Sequence, residues 1–301
     1  MADSVFHPGE RLAQSLAGFE LHGAPIRDWM PEQHRAFFES LPILFASVPD
    51  AQGWPVATAL TGPAGFIRSP DPVTLVVATV PRADDPAAAG FVAGAAAGLL
   101  GLEFATRRRN RANGVIASAG PDGFTVAVRQ SFGNCPQYIQ TRSLASSDDR
   151  RGSVEILSGL DGDARAAVED ADTFFVASRA GDAVDISHRG GRPGFVRAEG
   201  NVLTIPDFRG NRFFNTLGNL LLDDRAGLLF ADLATGDLLQ LQGRAEILWD
   251  RGAEFVGAER LWRVHVVRGW RRRAALPLRW RLEEYAPQLG RTGIWEKAET
   301  E

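Results

Sequence analysis

The segment Ser187–Asn215, SHRGGRPGFVRAEGNVLTIPDFRGNRFFN, has a faded copy 129 residues upstream: at that offset residues 62–106 fall on residues 191–235 without a gap. Gly62, Gly65, Phe66, Arg68 and Val73 match Gly191, Gly194, Phe195, Arg197 and Val202. Ala97-Gly98-Leu99-Leu100 and Ala105-Thr106 match Ala226-Gly227-Leu228-Leu229 and Ala234-Thr235, making eleven identities in 45 positions. A repeat at fixed spacing marks a duplicated structural unit. The copies differ in one informative place. Where the second reads Pro206-Asp207-Phe208-Arg209-Gly210-Asn211-Arg212, the first reads Val77-Ala78-Thr79-Val80-Pro81-Arg82-Ala83. One scaffold occurs twice, and one copy carries a polar loop that the other lacks.

The whole chain has 301 residues, enough for two domains, each with its own core. A hydrophobic fraction of 45% with seven Trp argues for packed cores, and a net charge of −4 supplies no global field toward nucleic acid or anionic membrane. The opening MADSVFHPGE has neither the basic nor the apolar region of a signal peptide, and no apolar run is long enough to suggest a membrane span, so a cytoplasmic protein is expected. Lysine is confined to Lys297 in the acidic tail, which removes the P-loop and the pyridoxal phosphate Schiff base from consideration. One Cys and five scattered His without an HExxH pattern leave no expected disulfide or metal centre.

Alternation and turn signals organise the rest. Pro31–Ser40 reads as a short helix, and 44–48 and 55–60 read as strands around the turn Pro49–Gly53. Further strands are expected at 73–79, 98–104 and 107–117, and a small-residue helix within 87–98. In the second copy, strands are expected at 173–178, 183–187, 195–197, 202–205, 228–232 and 238–248. A helix over 212–222 would place Phe213, Phe214, Leu217, Leu220 and Leu221 on one stripe. The polar stretch 146–152 predicts a boundary between units 1–150 and 151–301. The expected fold is mainly β, a barrel or partly open barrel with short helices in each half.

Within the polar loop, Pro206 is expected to end a strand, Gly210 to permit a sharp turn and Asn211 to cap the following helix. Arg209, Arg212 and Arg197 beside a helix N-terminus make a cradle for phosphate or carboxylate. Arg209 and Arg212 can equally pair with Asp207, Asp223 or Asp224 and only cap the helix.

The segments DISHRGGRPGFVRAEGNVLTIPDFRGNRFFNTLGNL and RAGLLFADLATGDLLQLQGRAEI resemble the FMN-binding split-barrel proteins related to pyridoxamine 5′-phosphate oxidase. Gln130-Ser131-Phe132-Gly133-Asn134-Cys135-Pro136-Gln137-Tyr138-Ile139-Gln140 is similar to a segment of the predicted flavin-nucleotide-binding branch of that group. The resemblance implies tandem split barrels, the first degenerate and structural, the second binding FMN and followed by a C-terminal extension. It implies that Arg197, Arg209, Asn211 and Arg212 hold the phosphate. It also implies that Ser187, His188, Arg189 and the Ile205-Pro206-Asp207 backbone border the flavin ring at an interface between barrels. A homodimer acting on a small-molecule substrate or electron donor follows from the same likeness. The chain departs from the oxidase where a Gln is usual and Leu238 stands, and where Leu276-Pro277-Leu278-Arg279-Trp280 replaces an Arg-x-His pattern, so vitamin B6 oxidation is not implied. The alternative is a non-catalytic flavin or haem carrier, for which His188 and His265 are the candidate axial ligands.

Other features have two readings each. His188 can reach a ligand or close a local turn, and Cys135 can be a redox thiol or packing. The run Arg107–Arg111 suggests phosphate contact, but the repeat places it on a hairpin, so it and Arg271–Arg273 are expected on solvated strand edges. Trp262, Trp270, Trp280 and Trp295 are expected to clamp the extension onto the second barrel. A basic face interleaved with aromatics, which nucleic acid would need, is lacking.

Overall fold

A computed structural model describes residues 5–148 and 152–296; the 150/151 boundary and Lys297 lie outside the described residues. The first half runs α1 (Pro8–Leu16), α2 (Glu32–Glu39), β1 (Ile43–Pro49), β2 (Pro55–Thr61), β3 (Ile67–Arg68), β4 (Thr74–Val77), β5 (Ala96–Glu103), β6 (Arg108–Gly120) and β7 (Gly123–Gly133). A ribbon strand, β8 (Thr141–Ser147), leads into β9 (Val154–Leu157), α3 (Gly162–Glu169), β10 (Thr173–Ala180), β11 (Ala183–Gly190), β12 (Arg197–Glu199) and β13 (Val202–Phe208). Then follow α4 (Asn215–Leu222), β14 (Arg225–Ala231), β15 (Leu238–Leu248), β16 (Ala258–Arg272) and β17 (Leu278–Glu284).

The two halves have the same antiparallel topology. The first sheet is ordered β2-β1-β5-β6-β7-β4-β3 and the second β11-β10-β14-β15-β16-β13-β12. Neither sheet pairs its two end strands, so each curls around its core as a split barrel. Pure apolar faces explain the central strands: Ile43–Val48 and Thr173–Ser178 are buried throughout. Each barrel encloses its own cluster, around Phe38, Leu44 and Leu99 in the first and Phe174, Leu228 and Trp262 in the second. A third cluster lies between the barrels and joins Phe45, Leu100 and Phe104 to Phe175, Ile186, Leu229 and Trp280.

That third cluster is organised about a two-fold relation. Ala46 faces Leu99 in β5, as Val176 faces Leu228 in β14, so Phe45 and Phe175 hold the same place in their sheets. Their rings stack with centroids 3.6 Å apart. A residue that meets its own counterpart lies on a two-fold axis, as at the centre of an isologous dimer. Gly98 and Gly227 repeat the pattern. A Cβ on Gly98 would lie 3.1 Å from the Val184 carbonyl oxygen, and one on Gly227 2.3 Å from that of the counterpart, Pro55. A single chain thus contains the barrel pair.

The structure changes several local expectations. Residues 87–98 hold only a short turn of 3-10 helix at Ala88–Gly90 before β5 begins, because Gly90, Gly94 and Gly98 weaken a helix as much as they ease packing. Pro206 does not end β13: β12 pairs with it only as far as Thr204, so the prolyl nitrogen falls on an unpaired edge while the strand continues along β16 to Phe208. The final helix starts at Asn215, not Arg212, because Arg212 and Phe214 adopt φ of 63° and 60°. The arginine runs are solvated only in part: Arg108 and Arg273 are exposed, but the rest of each run is not a free edge. β6 is flanked by β5 and β7, Arg111 is buried, and Arg271 and Arg272 are buried in ion pairs. Trp262 belongs to the core of the second barrel, since β16 is an inner strand and not an extension. Trp280 sits between the barrels, and Trp295 alone matches the clamp, packing on Phe255 and donating from Nε1 to the Phe195 carbonyl.

Candidate functional site

Where β6 of the first barrel crosses β11 of the second, the chain leaves a cleft of about 80 Å³, the size of a phosphate-like anion. Arg111 comes from the first barrel; Ser187, Arg189, Asp207 and Arg260 come from strands of the second, and Asn211, Arg212, Asn215 and Thr216 from the loop and first turn of α4. The Arg111 guanidinium donates to Ser187 Oγ at 2.5 Å and to Asn215 Oδ1 at 2.9 Å, and lies 3.1 Å from Asp185. Thr216 Oγ1 lies 2.7 Å from Ser187 Oγ. Arg260 donates to Asp207, and Arg189 approaches the same carboxylate at 3.7 Å.

α1 closes the back of this network. His7 caps the helix, Pro8 starts it, and Glu10 accepts from Asn215 Nδ2. Burial raises the Glu10 pKa, with the neighbouring His7 opposing it. One asparagine side chain thus joins a carboxyl on α1 to the guanidinium on β6.

Charge is unbalanced here. Four guanidinium groups line the cleft, Arg111, Arg189, Arg212 and Arg260, against Asp207 and Glu259 in the lining and Asp185 paired with Arg111, a surplus of one positive charge. Arg109, two residues before Arg111 and therefore on the same face of β6, adds another cation, and no carboxylate among the described residues pairs with it. Burial, then Arg111 and Arg189, push its pKa down to about 9. Its Nη1 lies 3.0 Å from His188 Nδ1. His188 is held well below its ordinary pKa by burial and by Arg109, Arg189 and Arg142, so its ring is neutral at pH 7. Nε of Arg109, Arg111 and Arg189, and Nε2 of His188, are buried with no hydrogen-bond partner among the described residues. Buried donors without acceptors are uncommon and costly. The surplus charge and the unpaired Arg109 beside it suit the cleft to an anion.

Of the residues expected from sequence, Ser187, Arg189, Asp207, Asn211 and Arg212 line the cleft, with His188 behind them. Asn211 does not cap α4; its Oδ1 accepts from Phe213 N, 3.1 Å away, inside the loop. The Arg212 guanidinium covers the Phe19 ring at 3.7 Å. Ile205 and Pro206 are buried strand positions outside the cleft. Arg209 is exposed and absent from the lining; only its carbonyl is engaged, by Tyr138 Oη at 3.3 Å. Arg197 is on β12, stacked on Trp295 at 4.3 Å and 3.2 Å from Glu199, so it takes no part. His265 stands on an exposed face of β16 beside Glu246. Arg109, Arg111, Asn215, Thr216 and Arg260 were not expected. The every-second-residue spacing of Arg109 and Arg111 is the signal that they share a face, and pairing with the second barrel decides that the face is buried; Arg107 stands in the turn before β6, at φ 60°, and pairs with Glu284.

The 130–140 motif also has a structural place. After β7 it crosses to the second barrel, where Tyr138 stacks on Phe208 with centroids 5.1 Å apart. Gln140 Nε2 donates to the carbonyls of Asp172 and Gly191, at 3.1 and 3.2 Å. The motif straps the β11–β12 connection and the site loop to the first barrel. Cys135, partly buried in that strap, forms no disulfide.

Fold and site together define a tandem split-barrel protein with an arginine-lined cleft between its barrels. No family model and no curated protein matches the chain. Among solved structures it is similar to the FAD-binding protein of Mycobacterium smegmatis, at 11% identity and TM-score 0.27, over 40% of this chain and 98% of that one. It is also similar to a FAD-binding protein of Mesorhizobium loti (12%, TM-score 0.28, 40% and 99%). A provisionally assigned pyridoxamine 5′-phosphate oxidase of Corynebacterium glutamicum aligns at 16% identity and TM-score 0.29, over 40% and 94%. Likeness this faint carries no weight for ligand or reaction. Among the described residues no helix is long and apolar enough to cross a membrane, and no group of three or more His, Cys, Asp or Glu gathers as a metal site.

Proposed function

We propose that the cleft binds the phosphate of flavin mononucleotide and that the protein is a flavin-dependent oxidoreductase of the pyridoxamine 5′-phosphate oxidase-like group, acting on a small molecule. The observation that carries this reading is a cleft lined by four guanidinium groups with surplus positive charge, backed by Arg109, which has no carboxylate partner among the described residues. A phosphomonoester brings about −1.5 to −2 charges and several strong acceptor oxygens, which suits a cleft lined by guanidinium groups. The cleft has room for the phosphate alone. The ring would lie outside it, along the strand edges bordered by Ser187 and Arg189.

Bound flavin would supply the hydride or electron transfer; the protein supplies position and electrostatics. Arg111 is fixed by Ser187 and Asn215 before any ligand arrives, so little side-chain entropy is lost on binding. Asp207 is committed to Arg260, and His188 is neutral with Nδ1 against Arg109, so neither is a free base at pH 7. The test is titration of the purified protein with FMN and riboflavin, followed by flavin absorption at about 370 and 450 nm. One FMN site per chain, with riboflavin much weaker, supports the reading. Equal affinities, or a haem Soret band near ~400 nm in its place, overturn it.

A further inference from the structure

The two-fold relation between the barrels implies a second cleft, and strand register locates it. Ser187 faces Val176 as Thr58 faces Ala46, so Thr58 is the counterpart of Ser187. Arg111 faces Leu100 as Gln240 faces Leu229, so Gln240 is the counterpart of Arg111. One rung further, the cation changes strand: the first site has Arg109 on β6, whereas here Leu238 takes that place and Arg272, opposite it on β16, carries the charge. A cavity of about 340 Å³ opens at this place, lined in part by Thr79, Arg82, Asp85 and Arg272.

Here the charges are paired inside the chain, although Arg272 Nε is buried without an acceptor. The Asp85 carboxylate accepts from Arg272 Nη1 at 2.7 Å, from Gln240 Nε2 at 3.1 Å, from the Ala87 backbone N–H at 2.9 Å and from Thr58 Oγ1. The two charged side chains are only 4% and 2% exposed. Asp84, beside it, takes a second contact from Arg272 at 2.9 Å. Asp85 lies on the loop after β4, the counterpart of the loop after β13 that carries Arg212 in the first site. One loop brings a cation to a cleft already rich in cations; the other brings a carboxylate to the matching place.

We propose that this second cleft is a built oxyanion site whose occupant is the chain's own Asp85 carboxylate, so that removing that side chain makes it accept a small free carboxylate. The inference stands on the second cleft's own contacts and does not depend on what the first cleft binds. It also explains why one chain with two matched clefts would take a single external anion.

The experiment compares wild type, Asp85→Ala and the double variant Asp85→Ala/Arg272→Leu, with melting followed at rising sodium acetate and at matched sodium chloride. Asp85→Ala leaves the buried Arg272 Nη1 without its acceptor, with only Asp84 still paired to Nη2, and should melt several degrees below wild type in chloride. Acetate should restore most of that loss with saturation, because a ligand that binds only the folded state raises its stability. Wild type and the double variant should respond equally to acetate and chloride. If Asp85→Ala is unfolded in chloride, recovery of its near-ultraviolet circular dichroism in acetate is the expected result. Failure of acetate to restore Asp85→Ala beyond the chloride control, or an equal acetate effect in all three proteins, overturns the proposal. Neither readout involves flavin, so it fails or survives separately from the FMN titration.

Discussion

The two clefts between the barrels share a backbone and differ in where the negative charge comes from. In the cleft at Thr58, Gln240 and Arg272, the carboxylate of Asp85 is covalently part of the chain. In the cleft at Ser187 and Arg111, Arg109 has no carboxylate partner among the described residues. A duplicated site can therefore diverge without changing its fold. Supplying an internal counter-ion closes one copy, and withholding it keeps the other ready for a ligand. The energetic contrast is sharp, because a buried ion pair is costly to break, whereas a buried cation without a partner is a liability until an anion arrives.

The largest expected effect is on the closed side. Arg272→Ala strands the Asp85 carboxylate and should cost about 3–5 kcal/mol, measured by urea denaturation. Arg109→Leu, at the open cleft, should leave the ligand-free protein as stable as wild type or more so. Equal losses from the two substitutions would erase the contrast.

Ligand affinity tests the same difference from the other direction. Arg111→Ala should weaken FMN binding about 10- to 100-fold through loss of a charge-assisted contact of about 1.5–3 kcal/mol, and riboflavin binding much less. Arg212→Ala should act in the same direction but less strongly, because that guanidinium is shared with the Phe19 ring. Arg209→Ala should leave FMN affinity unchanged, since Arg209 is exposed and outside the cleft lining. An Arg209 effect as large as that of Arg111 would mean that the loop rearranges around the ligand.

A smaller effect should appear with pH. His188 is neutral in the fold, with its pKa depressed by burial and by Arg109, Arg189 and Arg142. Its contribution is fully present above the unfolded value of about 6.5. Below that value the unfolded chain binds a proton that the fold refuses, so stability falls with decreasing pH until the folded-state pKa is reached. His188→Gln should remove this component, worth up to about 1.4 kcal/mol per pH unit below 6.5, and flatten the decline in melting temperature between pH 7 and 5. Because an anion beside Arg109 would ease protonation of the ring, saturating FMN should flatten the wild-type profile too. A profile unmoved by both changes would show that His188 is not the titrating group.

Much of this architecture can be read without coordinates. The 129-residue repeat, the strands around the turn at Pro49–Gly53 and the alternation of 238–248 follow from covalent periodicity and turn chemistry, which act locally. So does the polar loop that marks the second copy, with Asn211 and Arg212 in the cleft lining. What local chemistry does not determine is which face of a strand meets the other barrel. Arg109 and Arg111 look like an exposed run until β11 is laid across β6. Arg197 matches its repeat partner Arg68, yet it stacks on a tryptophan nearly a hundred residues away. Arg272 and Asp85 are 187 residues apart and become one buried pair only because the barrels associate about Phe45 and Phe175. Sequence by itself determined that the unit is duplicated and where its copies differ in charge. Tertiary structure alone decided which cleft is filled, because burial and ion pairing depend on contacts across the two-fold interface, whereas the repeat and its turns are set by residues adjacent in the chain.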